Sequence, residues 1–311
     1  MKSHPCLVCD GSDYQRYLTE VYSLNERSFD LIRCRSCGMV RIEPPPETEE
    51  VRALYNEAYF NQDFSCGVRK GTYLESEAMR VEEYREILNL IRPYRPAGKL
   101  LEVGCAAGSF LNYARRSGYE VAGVDVSEWA ARTAAEQFGL QVRVGRLFEA
   151  GYPEASFDVA FLGDLLEHEP DPLGLLLEIK RVLKPHGLAA IKAPTYVNSF
   201  YFRVARRIPG SWLMGRLDLR LLQAMKLAHQ RPAPPPYHLY EFNRATLTRL
   251  LEKSGLSVVQ HRTSLLVPEF LDSWKASPFD RFVYYGFKLL KSVVVTLNLP
   301  AGHVLILAEK G

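Results

Sequence analysis

Charge of one sign is scarce in this chain: 39 Lys and Arg against 36 Asp and Glu leave a formal net charge of +3 over 311 residues. So small an excess does not by itself point to nucleic acid as a partner. Long apolar runs are also missing. The N-terminus, MKSHPCLVCD, is polar and carries cysteines where a secretory signal needs an uninterrupted apolar core. The most apolar late segment, RFVYYGFKLLKSVVVTLNL, is broken by Lys288 and Lys291 and falls short of a spanning helix. A cytoplasmic protein is the expectation. Apolar content of 47% and charged content of 24% are ordinary for a globular chain, long enough here for one α/β domain plus accessories. The dinucleotide fingerprint is missing too. A G-x-G-x-x-G run starting at Gly104 needs glycines where Ala106 and Ser109 stand.

What is there instead is LLEVGCAAGSFLNYA, Leu100 to Ala114. An aliphatic run ends at Glu102 and Val103, a turn carries Gly104 and Gly108, and a helical apolar pattern follows. Strand, tight turn and helix N-terminus together bring backbone N–H groups up against a ligand. About twenty residues on, the second strand ends in Asp125, a carboxylate at the height of a ribose diol. The spacing acid-x-G-x-(G/A)-x-G is met by Glu102, Gly104, Ala106 and Gly108. Its companions in order are Asp125, the stretch Gly145 to His168, and RVLKPHGLAAIKAP from Arg181 to Pro194. This set resembles the motifs of class I S-adenosylmethionine-dependent methyltransferases over roughly 98–193. The resemblance implies an α/β fold: a seven-stranded doubly wound, Rossmann-like sheet whose last strand is inserted antiparallel, the part HVLILAEK suits. Strands are expected near 99–103, 119–124, 141–144, 157–162 and 187–192, then at 256–260 and 303–308. Helices are expected near 108–117, 127–138, 172–183 and 243–254.

Four of six cysteines form two CxxC pairs, Cys6 and Cys9, then Cys34 and Cys37, separated by 24 residues. With Gly11 and Gly38 at the turns, they read as a zinc ribbon over 1–43. In a reducing compartment four close thiols hold metal rather than disulfides. All four positions are protein ligands, so the Zn²⁺ is structural, and in so small a module its binding, about 10–16 kcal/mol in comparable peptides, is the folding energy. EPPPETEE then stops the ribbon, with Thr48 and the following acids suiting a helix start. Residues 47–96 read as a helical segment with Tyr84, Ile87, Leu88 and Ile91 at core spacing. In the resembled family such a segment folds over the cofactor, which makes Tyr55, Tyr59, Phe60 and Tyr73 candidate contacts.

The domain from 97 to 311 carries two insertions. The first, 196–236, holds seven Lys or Arg residues and one acid, Asp218, interleaved with Trp212, Leu213 and Leu217 among other apolar residues. It suits a lid over a pocket, contact with anionic lipid headgroups at the inner membrane face, or contact with phosphate on a substrate. The second, 268–298, is aromatic and apolar.

The resemblance also implies site residues. Asp125, followed by Val126, accepts the ribose hydroxyls, and Gly104 and Gly108 let the backbone approach the ligand with no Cβ in the way. Cys105 and Ala106 lie inside the turn, and Glu102 orders it or meets the cofactor's amino end. After the third strand the family offers an acid to adenine. Here Gly145 is followed by Arg146, so backbone around Arg146 and Leu147 is expected to serve. Asp164 lies at the carboxyl edge of the fourth strand, where ligands bind in open α/β sheets. Asp164-x-x-Glu167-His168 also resembles a divalent-cation cluster of ubiquinone-pathway O-methyltransferases. The general-base candidate is His238 in PPYHLYEF, since imidazole, with a reference pKa near 6.5, suits proton removal at neutral pH.

The expected function is methylation of a sugar, glycan precursor or related small metabolite at oxygen. Chains joining a ribbon to such a domain, with an HLY-F segment, look like bacterial polysaccharide and natural-product enzymes. Two alternatives stay open. An RNA methyltransferase would grip phosphates with ribbon and basic insertion, although GDLL at 163–166 is no Asn-Pro-Pro-Tyr-type motif. A non-enzymatic zinc-dependent interaction protein would keep the fold with a vestigial cofactor crevice.

Overall fold

A computed structural model describes residues 4–61, 80–199, 233–264 and 302–311, with 202, 203, 207, 285, 289, 293, 294 and 296–300 as further single positions or short stretches. Most of the two insertions, together with Cys66 and Tyr73, lies outside the described residues.

The N-terminal part is a small antiparallel sheet. β1 (Tyr14–Leu24) pairs with β2 (Arg27–Cys34), and β2 with β3 (Val40–Glu43). Two short helices follow, α1 (Thr48–Ala53) and α2 (Glu57–Asn61). Glu47 rather than Thr48 caps the first, its own N–H being received by Glu50 in a reciprocal box. α3 (Val81–Ile91) buries Tyr84, Ile87, Leu88 and Ile91, the stripe expected from their spacing.

The large sheet uses β4 (Lys99–Val103), β5 (Glu120–Asp125), β6 (Val142–Val144), β7 (Phe157–Gly163) and β8 (Leu183–Pro194). Between them run α4 (Ser109–Arg116), α5 (Glu128–Phe138) and α6 (Pro172–Val182). A two-residue strand β9 (Tyr240–Glu241), helix α7 (Arg244–Lys253), β10 (Leu256–Ser264) and β11 (His303–Lys310) complete the order. The helix starts follow local chemistry. Asp171 accepts the Gly174 N–H ahead of Pro172, and Asn243 and Thr246 exchange hydrogen bonds at the head of α7.

The seven strands lie in the order β10-β11-β8-β7-β4-β5-β6, with β11 antiparallel to both neighbours and the five from β8 to β6 parallel. The strand order reverses at β4, which has β5 on one side and β7 on the other. That is the switch point where open α/β sheets bind ligands. β8 starts at Leu183, earlier than the expected 187, because Leu183 pairs with Phe157 before a register shift absorbs the Lys-Pro-His-Gly turn.

The two sheets are not separate bodies. β9 lies beyond β8 in sequence yet joins the N-terminal sheet, giving the order β1-β2-β3-β9. Cys6, Val8, Cys34 and Met39 pack into one apolar cluster with Ile179, Leu247 and Leu250 of the large domain. Lys253 reaches back to the Leu7 carbonyl and to Asp10.

Candidate functional site

The loop after β4 is held in an unusual backbone shape. Gly104, Ala106 and Gly108 all have positive φ, at 70°, 45° and 79°. Amides of Gly104 and Cys105 donate to the Val124 carbonyl, tying the loop to the end of β5. Packing also constrains the glycines. A Cβ on Gly104 would stand 2.8 Å from Leu165 Cδ1, and one on Gly108 would stand 2.8 Å from Leu140 Cδ1. The protein's own side chains therefore fill the space a side chain here would need.

Asp125 meets this loop directly. Its Oδ2 accepts the Ala106 N–H at 2.8 Å and its Oδ1 accepts the Ser127 N–H at 2.9 Å, with the residue 8% exposed. Burial pushes its carboxyl up, against the N–H groups of Ser127, Ala106 and Val126, which pull it down. A carboxylate has about four acceptor positions. The Ala106 and Ser127 N–H groups take two of them, and acceptor capacity remains for a hydroxyl donor. Glu102 is buried one position before the end of β4, and Cys105 is buried inside the turn.

The expected adenine side is more occupied. The Arg146 N–H is received by Glu149 at 2.7 Å, and its guanidinium pairs with Glu169 and lies 4.7 Å over the Phe148 ring. Leu147 is 2% exposed and points into the main apolar cluster.

α2 packs against the loop through Phe60. Phe60 stacks on Trp129 (5.0 Å, 18°) and packs with Ala106 and Ala130. Tyr55, Tyr59 and Tyr237 form an aromatic group with ring separations of 5.1–6.2 Å. Tyr55 is half-buried; desolvation pushes its hydroxyl well up, and Tyr59, Glu167, Tyr237 and Asp125 push it further.

At the carboxyl edge of β7, Asp164 takes φ +55°. Its Oδ2 receives Lys192 Nζ at 2.5 Å and Arg80 at 3.1 Å, while its Oδ1 lies 3.5 Å from His303 Nε2. Lys192 also pairs with Glu83 at 2.5 Å, and Arg80 grips Glu83 with two nitrogens. Burial would raise both carboxyls, but the cations prevail: Glu83 falls to about 2 and Asp164 falls well below the carboxylate range. His303 is pushed down to about 4 by burial and by Lys192. The sequence held a signal for this network that was not read. A lysine in the buried run AAIKAP of a central strand demands partners.

Glu167, His168 and His238 converge, with one ligand atom of each lying within 4.8 Å of the others. Asp164 is instead committed to Lys192 and Arg80. Glu167 is 1% exposed, and burial and Asp164 push its carboxyl well up. His168 Nδ1 stands 2.7 Å from the Tyr237 carbonyl and 2.8 Å from the Tyr55 hydroxyl, and its Nε2 faces Glu167 Oε1 at 3.6 Å. The His238 ring stacks on Tyr196 (5.7 Å, 2°), meets His168 edge-on, and places Nδ1 3.8 Å from Glu241 Oε1. Tyr196, Glu241 and His303 were not singled out from the sequence, although Glu241 stands in PPYHLYEF and His303 opens HVLILAEK.

The four cysteines also converge. Sγ separations are 3.5 Å for Cys6–Cys37 and 3.6 Å for Cys9–Cys34. Zn–S bonds of about 2.3 Å at tetrahedral angles give an edge of about 3.8 Å, so the thiols fit the ion.

A methyltransferase-domain family matches residues 76–261, more than half of the chain. The chain belongs to this family. Its relatives include a ubiquinone biosynthesis O-methyltransferase of Ruegeria pomeroyi, 37% identical over 112 residues, which are 34% of this chain and 44% of that protein. A trans-aconitate 2-methyltransferase of Azoarcus sp. is 27% identical over 201 residues, 63% of this chain and 79% of that protein. The chain spans about half the length of several curated relatives it matches. A solved S-adenosylmethionine-dependent methyltransferase from Archaeoglobus fulgidus aligns with 76% of this chain and 99% of its own, at 20% identity and a TM-score of 0.49. The Asp125–glycine loop pair of this methyltransferase-domain chain lies where β4 and β5 end, beside the point at which the strand order reverses.

Proposed function

We propose that this chain transfers a methyl group from S-adenosylmethionine to a hydroxyl of a small acceptor: a sugar, a glycan precursor or a related metabolite. The observation that carries the reading is one of placement. The Asp125–loop pair and the group of Glu167, His168 and His238 lie at the same carboxyl edge, bridged by Tyr55, whose hydroxyl is 2.8 Å from His168 Nδ1. Bound, the cofactor supplies a methyl already activated on a sulfonium.

The chain's own residues supply the rest. Asp125 holds the ribose, and the amides of Gly104, Cys105, Ala106 and Gly108 shape the floor. Phe60, Tyr59 and Trp129 exclude water from above. His238 takes the acceptor proton. Tyr196 stacks on the His238 ring, and Glu241 Oε1 lies 3.8 Å from its Nδ1. The four thiols hold a structural Zn²⁺ in the ribbon at 1–43, with 47–96 as the capping segment.

No helix among the described residues is long and apolar enough to cross a membrane. We place the protein in the cytoplasm, with peripheral membrane contact assigned to the 196–236 stretch. Incubation with methyl-labelled cofactor and extracts fractionated into nucleotide sugars, lipid-linked glycans and RNA tests the proposal. Label in a sugar fraction supports it; label in RNA alone replaces it with the RNA reading. Absence of cofactor binding by calorimetry returns the chain to a non-enzymatic role.

A further inference from the structure

The segment that carries His238 has little structure of its own. Residues 233–238 form no regular element, and β9 has only two residues. What fixes it comes from elsewhere. The Ile42 N–H donates to the Leu239 carbonyl at 2.9 Å, Val40 and Arg41 pair with Glu241 and Tyr240, and the Ser23 N–H donates to the Pro234 carbonyl. On the other side, the Leu239 N–H donates to the Glu167 carbonyl at 2.8 Å, and Asn198 Nδ2 donates to the Glu241 carbonyl at 2.8 Å. The segment is thus pinned between the N-terminal sheet and the crevice.

The strand on the N-terminal side, β3, is itself short. It begins three residues after Cys37, directly beyond the turn in which Gly38 donates to the Cys34 carbonyl and Cys34 to the Met39 carbonyl. That turn holds two of the four converging sulfurs. A metal at the thiols fixes the turn, the turn fixes the start of β3, and β3 supplies the edge onto which 239–241 is laid.

We propose that the four-cysteine cluster is a positioning element of the methyl-transfer site: loading it with metal sets the strand that aims His238. The inference rests on the proposed base role of His238 and on metal at the thiols. Cys34 and Cys37 connect to the His238 segment through β3 and β9. The glycine loop and Asp125 are built on β4 and β5, and Phe60 on α2, so these proposed cofactor contacts stand apart from the strand pairing that holds 239–241.

The test is hydrogen–deuterium exchange on the full chain, with metal bound and after removal by a chelator, alongside calorimetry with S-adenosylhomocysteine. Metal loss is expected to speed exchange of amides in 239–242 and 40–43 by tenfold or more. Peptides covering β4 and β5 should stay within twofold, as should the affinity for S-adenosylhomocysteine, and added Zn²⁺ should restore protection. Cys9→Ser should give the metal-free pattern. Ile42→Pro removes the amide that donates to Leu239, so it should open 239–242 with metal still bound. The proposal is overturned if 34–43 opens while 239–242 stays protected, if β4 opens equally with them, or if the protein binds no Zn²⁺. Loss of S-adenosylhomocysteine binding in the metal-loaded wild type would instead remove the proposed function and leave the exchange result standing.

Discussion

Lys192 gives the sharpest test of how this site is held. Its ammonium is 1% exposed and lies 2.5 Å from both Glu83 and Asp164, while Arg80 shares both carboxylates from the other side. At an effective dielectric of about 20, each contact at that distance has a gross Coulomb energy of about 6–7 kcal/mol, much of it cancelled by desolvation. Replacing Lys192 by Met keeps the apolar stem and leaves the buried Glu83 and the half-buried Asp164 sharing one guanidinium. Breaking a buried pair in this way costs about 3–5 kcal/mol. For a domain of this size that lowers Tm by roughly 6–20 °C. Urea and thermal unfolding measure it. The double variant Lys192→Met, Glu83→Gln removes one charge of each sign and should be less destabilised than the sum of the two single changes. A Lys192→Met protein within about 1 kcal/mol of wild type, or strict additivity in the cycle, would refute the view that these charges act as one unit.

Asp125→Ala removes the acceptor of the Ala106 amide and the proposed ribose contact, and should weaken S-adenosylmethionine binding tenfold or more by calorimetry, from charged hydrogen bonds of about 1.5–3 kcal/mol each. His238→Ala should lower turnover with cofactor affinity unchanged; equal loss of both would mark a structural histidine. Gly104→Ala forces a Cβ against Leu165 at a φ of +70°, and should cost about 1–3 kcal/mol in denaturant unfolding. pH supplies a further check. His303 is held down at about 4, so between pH 6.5 and 4 the unfolded chain takes up a proton that the folded chain refuses, and stability falls as pH drops. Glu83, held at about 2, contributes stability that is complete above its ordinary value near 4.5 and is lost as pH falls toward 2. His303→Gln should flatten the upper window and leave the lower one; an unchanged slope above pH 4.5 would dismiss His303 as its source.

Much of the frame was legible from local order. β4, β5 and β7 are short aliphatic runs ended by turn residues, and α3 shows its buried face in the spacing of Tyr84, Ile87, Leu88 and Ile91. Such patterns depend on neighbours a few residues away, which the chain displays directly. Even the convergence of four thiols follows from two CxxC pairs, since only one compact arrangement brings them to a single ion.

Contacts between distant segments were not legible in this way. Arg41 pairs with Tyr240, Lys192 with Glu83, His303 with Asp164, and His238 stacks on Tyr196. The amino-acid order alone determined the class of fold, the glycine loop with its aspartate, and the two cysteine pairs, because each is written in local spacing. Only tertiary structure decided that the ribbon completes its sheet with the strand next to His238, that Asp164 answers to lysine and arginine, and that leucines close the space beside the glycines. Those outcomes depend on which faces meet when the sheet and its flanking layers pack, and no local pattern carries that information.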